Sequence, residues 1–242
     1  NKLLRNRSTH YSFTSILPNK IPKLWNGLCK TASASTTNKY MSLISVTYNT
    51  AKTEWDINCI NPVSKVKRMV EPEPSNERLD PADEKKILDA CQKSKAYWLR
   101  ALVIVALEVG ARRGELFALK RGDCDLKAGT AHLRNTKNGT DRKIGLSPRA
   151  VEQLKSLTPT IGGEFFPTNK DQFKFYWTQV KRWSGVNIKF HLLRHEWASR
   201  MFEKGWDISA VATQGGWKDW KVLRRYTAIS AAHLSEKFRK QN

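Results

Sequence analysis

Residues 97–121 read YWLRALVIVALEVGARRGELFALKR, and the fold is decided within this run. From Tyr97 to Val109 the chain is apolar almost without interruption. A surface helix carries one apolar stripe, whereas a helix apolar all round must be enclosed by the rest of its domain. The segment therefore predicts a buried central helix, closed by Gly110. A polar turn follows, Ala111-Arg112-Arg113-Gly114-Glu115-Leu116, with Leu119 beyond it. Two arginines are thus delivered where a buried helix ends. Taken alone, they read equally as an ordinary basic helix terminus.

Downstream the period of the pattern changes from helical to two. Thr130–Arg134 and Arg142–Leu146 flank Asn138-Gly139, a strong short-range hairpin signal. Lys137 sits just before that turn, at an exposed tip. Ser147-Pro148 opens a further helix, and Phe173, Tyr176, Trp177, Val180 and Trp183 mark another. His191–Lys204 predicts a helix stopped by Gly205; Asp207 caps the next, and Ile229–Lys240 reads as a short amphipathic helix. Upstream, Asp80-Pro81-Ala82-Asp83 is a helix start, with Asp80 as cap and Pro81 in the first turn.

Val70-Glu71-Pro72-Glu73-Pro74-Ser75-Asn76 breaks the pattern and suits an extended linker. Before it, Thr36–Trp55 predicts a helix with Tyr40, Leu43, Ile44, Tyr48, Ala51 and Trp55 on one face, and Asn61-Pro62 ends that region. The reading is a mainly α protein with a small antiparallel β-sheet (α+β). A helical domain spans 1–70, a linker 71–77, and a larger domain 78–242.

Forty-three Lys and Arg against 22 Asp and Glu give a formal charge of +21, an excess that attracts polyanions, nucleic acid foremost. Residues 1–75 alone hold 11 Lys and Arg against four Asp and Glu, so the charge is not confined to one tail. Four separated cysteines, Cys29, Cys59, Cys91 and Cys124, form no CxxC pair; they read as free thiols of a reducing cytoplasm. There is no apolar run of membrane-spanning length and no signal-peptide pattern, so no membrane partner is expected. An initial Asn in place of Met reads as the mark of a chain cut from a longer protein.

Cutting a phosphodiester requires a nucleophile, fixed cations for the phosphorane and an acid for the leaving oxygen. Metal-based routes find no support in the residues. His191 and His195 are four apart, but Leu192 stands where a zinc protease has Glu, and no carboxylate cluster or GxxxxGK[ST] loop is present. No metal and no cofactor are expected. A metal-free set does exist: Arg112 and Arg113, Lys137, the His191-Leu192-Leu193-Arg194 run, and Tyr226 between basic residues. Each has an ordinary structural reading when taken singly; their order is what carries weight.

In that order the sequence resembles the tyrosine recombinase family, its phage-type integrases in particular, from about Thr36 to about His233. Gly110–Leu116 with Leu119 and Asp123 is similar to the family's first arginine box, with Arg112 at the catalytic position and Arg113 as its variable neighbour. Lys137 matches the hairpin lysine. His191-Leu192-Leu193-Arg194-His195 matches the HxxR box, and Gly215-Gly216-Trp217 with Tyr226 nine residues on matches the box of the nucleophile. Two positions depart from the pattern: Gly215 replaces an aliphatic residue, and Trp217 stands where His is common.

The resemblance implies that Arg112 and Arg194 clamp the scissile phosphate and Lys137 protonates the departing 5′ oxygen. His191 donates a hydrogen bond or takes the tyrosine proton, and Tyr226 forms a 3′-phosphotyrosine link. Trp217 contacts phosphate or packs, since indole donates a hydrogen bond but exchanges no proton. Glu115 and His195 support the box arginines and the helix, and Asp123 shapes the loop after the first box. Further implications are a core-binding domain plus catalytic domain clamped on double-stranded DNA attachment sites, a homotetramer on DNA, and a bacterial, nucleoid-associated location serving a prophage or similar element. Host DNA-bending and directionality factors belong to the same expectation. The competing readings are a type IB topoisomerase-like nicking-closing enzyme and a non-catalytic DNA-binding protein on a recombinase scaffold; a plain regulator or ribosomal protein stands further off.

Overall fold

The computed structural model describes residues 25–27, 30–72, 77–134 and 141–226. The chain divides into two compact units, Asn1–Ser75 and Asn76–Asn242. Lys137, the Asn138-Gly139 turn and the expected helix Ile229–Lys240 lie outside the described residues.

In the first unit, helix α1 spans Ala34–Thr53 and starts where the Ser33 side chain accepts from the Thr36 amide. Its buried positions include Thr37, Met41, Tyr48 and Ala51, with Ile44 half-buried between them. That 3–4 spacing is one helical face. Leu43 and Trp55 were expected on it and are instead 57% exposed. Leu43 falls between successive residues of the stripe, and the helix ends at Thr53 before Trp55 can join it. Met41 and Val63 form a small core on which Trp25, Tyr40, Ile44 and Val66 pack. Asn38 ties down the departing chain, exchanging two 2.9 Å hydrogen bonds with the backbone of Met69.

The second unit runs α2 (Pro81–Gln92), α3 (Leu99–Val109), α4 (Arg113–Phe117), a three-stranded sheet, then α5 (Pro148–Lys155), α6 (Lys170–Ser184), α7 (Leu192–Glu203), α8 (Ile208–Gly215) and a 3-10 turn at Trp220–Tyr226. Local chemistry sets the starts of four helices. Asp80, Ser147, Asn169 and Asp207 each cap an N-terminus with a side-chain oxygen. Helix α3 is the buried centre, with Leu99, Leu102, Val103 and Val105 fully covered, and it packs on α2, α5 and α7. It begins at Leu99, two residues later than expected, and leaves Tyr97 61% exposed. Gly110 ends it at φ 64°, and a side chain there would overlap the Trp197 ring, so both conformation and space require glycine.

Strands β1 (Cys124–Asp125), β2 (Thr130–Leu133) and β3 (Arg142–Gly145) pair antiparallel in that order. Leu133 lies opposite Arg142 and Ala131 opposite Ile144. The two-residue β1 carries no alternation of its own, which is why the sequence did not announce it.

A second apolar cluster of Trp197, Ala198, Met201, Phe202, Val211, Ala212 and Leu223 joins α7, α8 and the final turn. Beside it Glu196, 2% exposed, accepts from Arg78, from the Leu79 amide and from Arg200. Arg200 in turn pairs with Glu84 at 2.7 Å. The start of the second unit is thereby fastened to α7. Among the described residues no helix is long and apolar enough to cross a membrane.

Candidate active site

Helix α8 ends on exposed carbonyls, as every helix does, and those acceptors must be met by donors. Here three guanidinium groups meet them. Arg194 Nη1 donates to the carbonyls of Gly215 at 2.6 Å and Gly110 at 2.8 Å. Arg112 Nη2 donates to Gly216 at 2.7 Å. Arg142 donates to Gln214 at 3.3 Å and Gly215 at 3.1 Å. The negative end of the helix dipole adds to the attraction.

Glu115 binds two of these cations together. Its carboxylate accepts from Arg112 Nη1 at 2.8 Å, from the Arg112 amide at 2.8 Å, and from both terminal nitrogens of Arg142 at 2.8 and 2.9 Å. Burial pushes this carboxyl up, but hydrogen bonds from Arg142 and Arg112 outweigh it and hold the pKa at about 2. Burial, then the neighbouring Arg112 charge, pulls the Arg194 guanidinium down to about 9, which leaves it cationic at neutral pH. Three guanidiniums against one carboxylate keep the cluster positive.

Arg112 lines a cleft of about 680 Å³ together with Arg113, Gly114, Glu115, Lys189, Phe190 and His191. Its Nη1 and Nη2 make the bonds above; its Nε makes none among the described residues and can serve an anion in the cleft. The neighbouring Arg113 instead stacks over Phe117 and Phe173, at 5.9 and 5.4 Å from the ring centroids. Arg194 is 3% exposed and covered by the Trp217 ring, whose centroid lies 3.7 Å from the guanidinium carbon. Trp217 also stacks on Trp197, with centroids 6.3 Å apart.

The departure at position 215 has a steric explanation. A side chain on Gly215 would occupy the space of the Trp217 ring, so glycine there and tryptophan two residues later fit as a pair.

Tyr226 reaches the cluster through its 3-10 turn. Residues three apart lie on one side of such a turn, and Leu223, fully buried in the second cluster, pins that side inward. Tyr226 packs against Trp217 at 6.5 Å between centroids, and its hydroxyl hydrogen-bonds to His195 Nδ1. The Trp217 ring therefore packs against both Arg194 and Tyr226. His191 stands just before the first residue of α7 and is exposed at the cleft, with its ring 4.6 Å from that of His195 in edge-on contact.

The structure thus gathers Arg112, Glu115, His191, Arg194, His195, Trp217 and Tyr226 in one region. His195, expected to support the box arginines and the helix, hydrogen-bonds to the Tyr226 hydroxyl, because the turn carrying Leu223 lays the phenol over the first turn of α7. Asp123 pairs with Arg134 at 2.6 Å, shaping the loop after the first box. Arg142 was missed by the sequence reading, yet it left a signal. It shares the core-facing side of β3 with buried Ile144, and a charge at an inward position demands a partner. Lys189, also in the cleft, had no such mark.

Fold and site define a helical α+β protein with a buried arginine cluster, an indole and a phenol gathered at the end of one short helix. The sequence profile of the phage integrase family matches residues 77–233, and the chain belongs to that family. The shufflon-specific DNA recombinase of Escherichia coli is 32% identical over 210 residues, covering 86% of this chain and 54% of that protein. The integrase of Salmonella phage P22 is 27% identical over 230 residues, covering 86% and 57%. The chain thus spans little more than half the length of these relatives. The Tn1549 transposon integrase, solved in complex with a circular intermediate DNA, matches with a TM-score of 0.76 at 17% identity, over 100% of this chain and 90% of that one, and so shares its fold.

Proposed function

We propose that the chain is a site-specific DNA recombinase that cleaves and rejoins strands through Tyr226, serving the integration and excision of a prophage or similar mobile element. The observation that carries the reading is the Trp217 ring, which has the Arg194 guanidinium at 3.7 Å and packs against the Tyr226 phenol. Nucleophile and phosphate-binding cations come from segments far apart in sequence, and metal-free strand cleavage needs them together.

In this reading Arg112 and Arg194 hold the non-bridging oxygens of the scissile phosphate, since a guanidinium fork binds two at once and stays charged. The phenol oxygen forms a bond to phosphorus, and the bond to the 5′ oxygen breaks. Lys137 gives that oxygen its proton, leaving a 3′-phosphotyrosine and a free 5′ hydroxyl. The link conserves the energy of the broken ester, so rejoining needs no ATP. His191, exposed beside Arg112 in the cleft, donates a hydrogen bond to the phosphate. The basic helical unit of residues 1–75 adds contacts to the DNA backbone. Two duplexes and four cuts call for four protomers, and host bending or directionality factors fit the same picture. The relatives' names support recombination, and the neighbour solved with DNA supports a duplex partner.

The test is a nicked suicide duplex built from direct repeats flanking the gene. Wild type forms an SDS-resistant, protease-sensitive adduct, and Tyr226→Phe forms none. An adduct that persists in Tyr226→Phe overturns the nucleophile; its absence from wild type as well returns the protein to a non-catalytic DNA binder. Supercoil relaxation without recombinant product would mark a topoisomerase-like enzyme.

A further inference from the structure

Two cations of the cleft, Arg113 and Lys189, have no part in the chemistry described so far, yet they line it together with Arg112 and His191. Lys189 is placed by a strict alternation. Val186, Ile188 and Phe190 are buried, whereas Asn187, Lys189 and His191 are exposed, and no helix forms from Gly185 to Phe190. A period of two puts alternate residues on one side of the chain, so Lys189 and His191 project the same way. The Trp177 indole donates to the Ile188 carbonyl at 3.2 Å and holds the run down. Phe190 packs edge-on against Phe173 and Trp177. Phe173 is also a ring over which the Arg113 guanidinium lies, at 5.4 Å. One aromatic platform thus carries both cations.

Arg112 and Arg113 are neighbours in sequence, but their guanidiniums have different anchors. Arg112 is bound to Glu115 and Gly216, and Arg113 lies on Phe117 and Phe173. Separate anchors suit separate anions. Glu115, the carboxylate of the cleft, is taken up by Arg112 and Arg142, and neither Arg113 nor Lys189 has an ion pair among the described residues. The cleft, at about 680 Å³, has room for more than one phosphate group. A DNA strand supplies such groups in series, one every ~3.4 Å of helix axis.

We propose that Arg113 and Lys189 form a second anion subsite, which takes the phosphate immediately next to the scissile one on the strand being cut. The proposal rests on the recombinase reading and deepens it. The contact is to backbone and reads no base; its work is to fix which phosphate lies before Arg112, Arg194 and Tyr226. Lysine supplies a point charge, and the ring-held guanidinium supplies a planar donor with little freedom left to lose.

The test combines single methylphosphonates, each of which removes one backbone charge, with substitutions in the protein. Binding to the intact duplex is measured for wild type, Arg113→Gln, Lys189→Gln, the double variant and Lys155→Gln, which removes an equal charge on α5, outside the cleft. Adduct on the suicide duplex locates the scissile phosphate, and melting curves check folding. At about 0.1 M salt, a methylphosphonate at one of the two neighbouring phosphates should weaken wild-type binding about tenfold. The same methylphosphonate should cost each single variant about threefold and the double variant under about twofold, because the contact is already lost. Lys155→Gln should keep the full tenfold penalty. A full penalty in the double variant overturns the proposal. So does an equal drop in Lys155→Gln, which would mark general electrostatics, or a sensitive phosphate lying beyond the two neighbours. If loss of the Arg113 ring contact unfolds the protein, the exposed Lys189 still decides through Lys189→Gln alone. In each of those outcomes the wild-type adduct still forms and the recombinase reading stands; a wild type without adduct ends that reading by itself.

Discussion

Replacing Arg142 by methionine removes two of the four hydrogen bonds to a carboxylate whose side chain is 4% exposed. The bonded network holds Glu115 at about 2 against an ordinary 4.5, and a shift of that size corresponds to about 3 kcal/mol. Breaking one side of a buried pair generally costs about 3–5 kcal/mol, because the remaining charge stays desolvated. We therefore expect Arg142→Met to lower stability by about 3 kcal/mol at pH 7, which for a unit of this size is a fall in Tm of about 6–12 °C. Glu115 has its folded-state pKa below its unfolded one. Its contribution is complete above about pH 4.5 and is lost as the pH falls toward 2. The gap between wild type and Arg142→Met should therefore hold from pH 7 down to about 4.5 and narrow as the pH falls from there toward 2, where Glu115 takes up its proton and no longer needs its partner. Urea unfolding across that range measures it. The double variant Glu115→Gln with Arg142→Met should lie closer to wild type than the sum of its parts, by more than about 1 kcal/mol. A loss below about 1 kcal/mol at pH 7, or a gap that ignores pH, would refute the account of Arg142 as the partner that keeps Glu115 charged.

Two further outcomes follow from the glycines. Gly110→Ala forces an L side chain into φ 64° and into the Trp197 ring, so it should destabilise the second unit by at least about 1–3 kcal/mol in thermal or urea unfolding. A variant that melts like wild type would mean the α3–α7 contact is far looser than described. Gly215→Val should displace the Trp217 indole while sparing the core, read as a change in tryptophan fluorescence together with slower adduct formation. Pairing it with Trp217→His, the residue common at that position in the resemblance noted above, should restore part of the rate; no restoration would separate Gly215 from the indole.

Much of the site is legible in the sequence alone. Arg112, His191, Arg194 and Tyr226 could be named because each lies in a short box of fixed spacing. Their helices could be drawn because caps and apolar periods act within a few residues: Asp80 with Pro81, Ser147 with Pro148, and Asp207 each mark a start that the structure keeps. Arg142 needed its strand's inward face to be compared with its charge. Glu196 hid in the same way, as a carboxylate on a buried stripe whose partner Arg78 is 118 residues away in sequence.

The sequence by itself determined the mainly helical character, the central α3 and the set of groups able to cut a phosphodiester. Those follow from short-range forces: capping, the helical period, and the burial of a continuous apolar run. Only the tertiary structure decided who touches whom. That three arginines share the end of α8, that Gly215 makes room for Trp217, and that Tyr226 reaches His195 depend on how α7, α8 and the last turn pack around Trp197 and Leu223. Such packing is fixed by contacts between residues distant along the chain, and no local pattern encodes them.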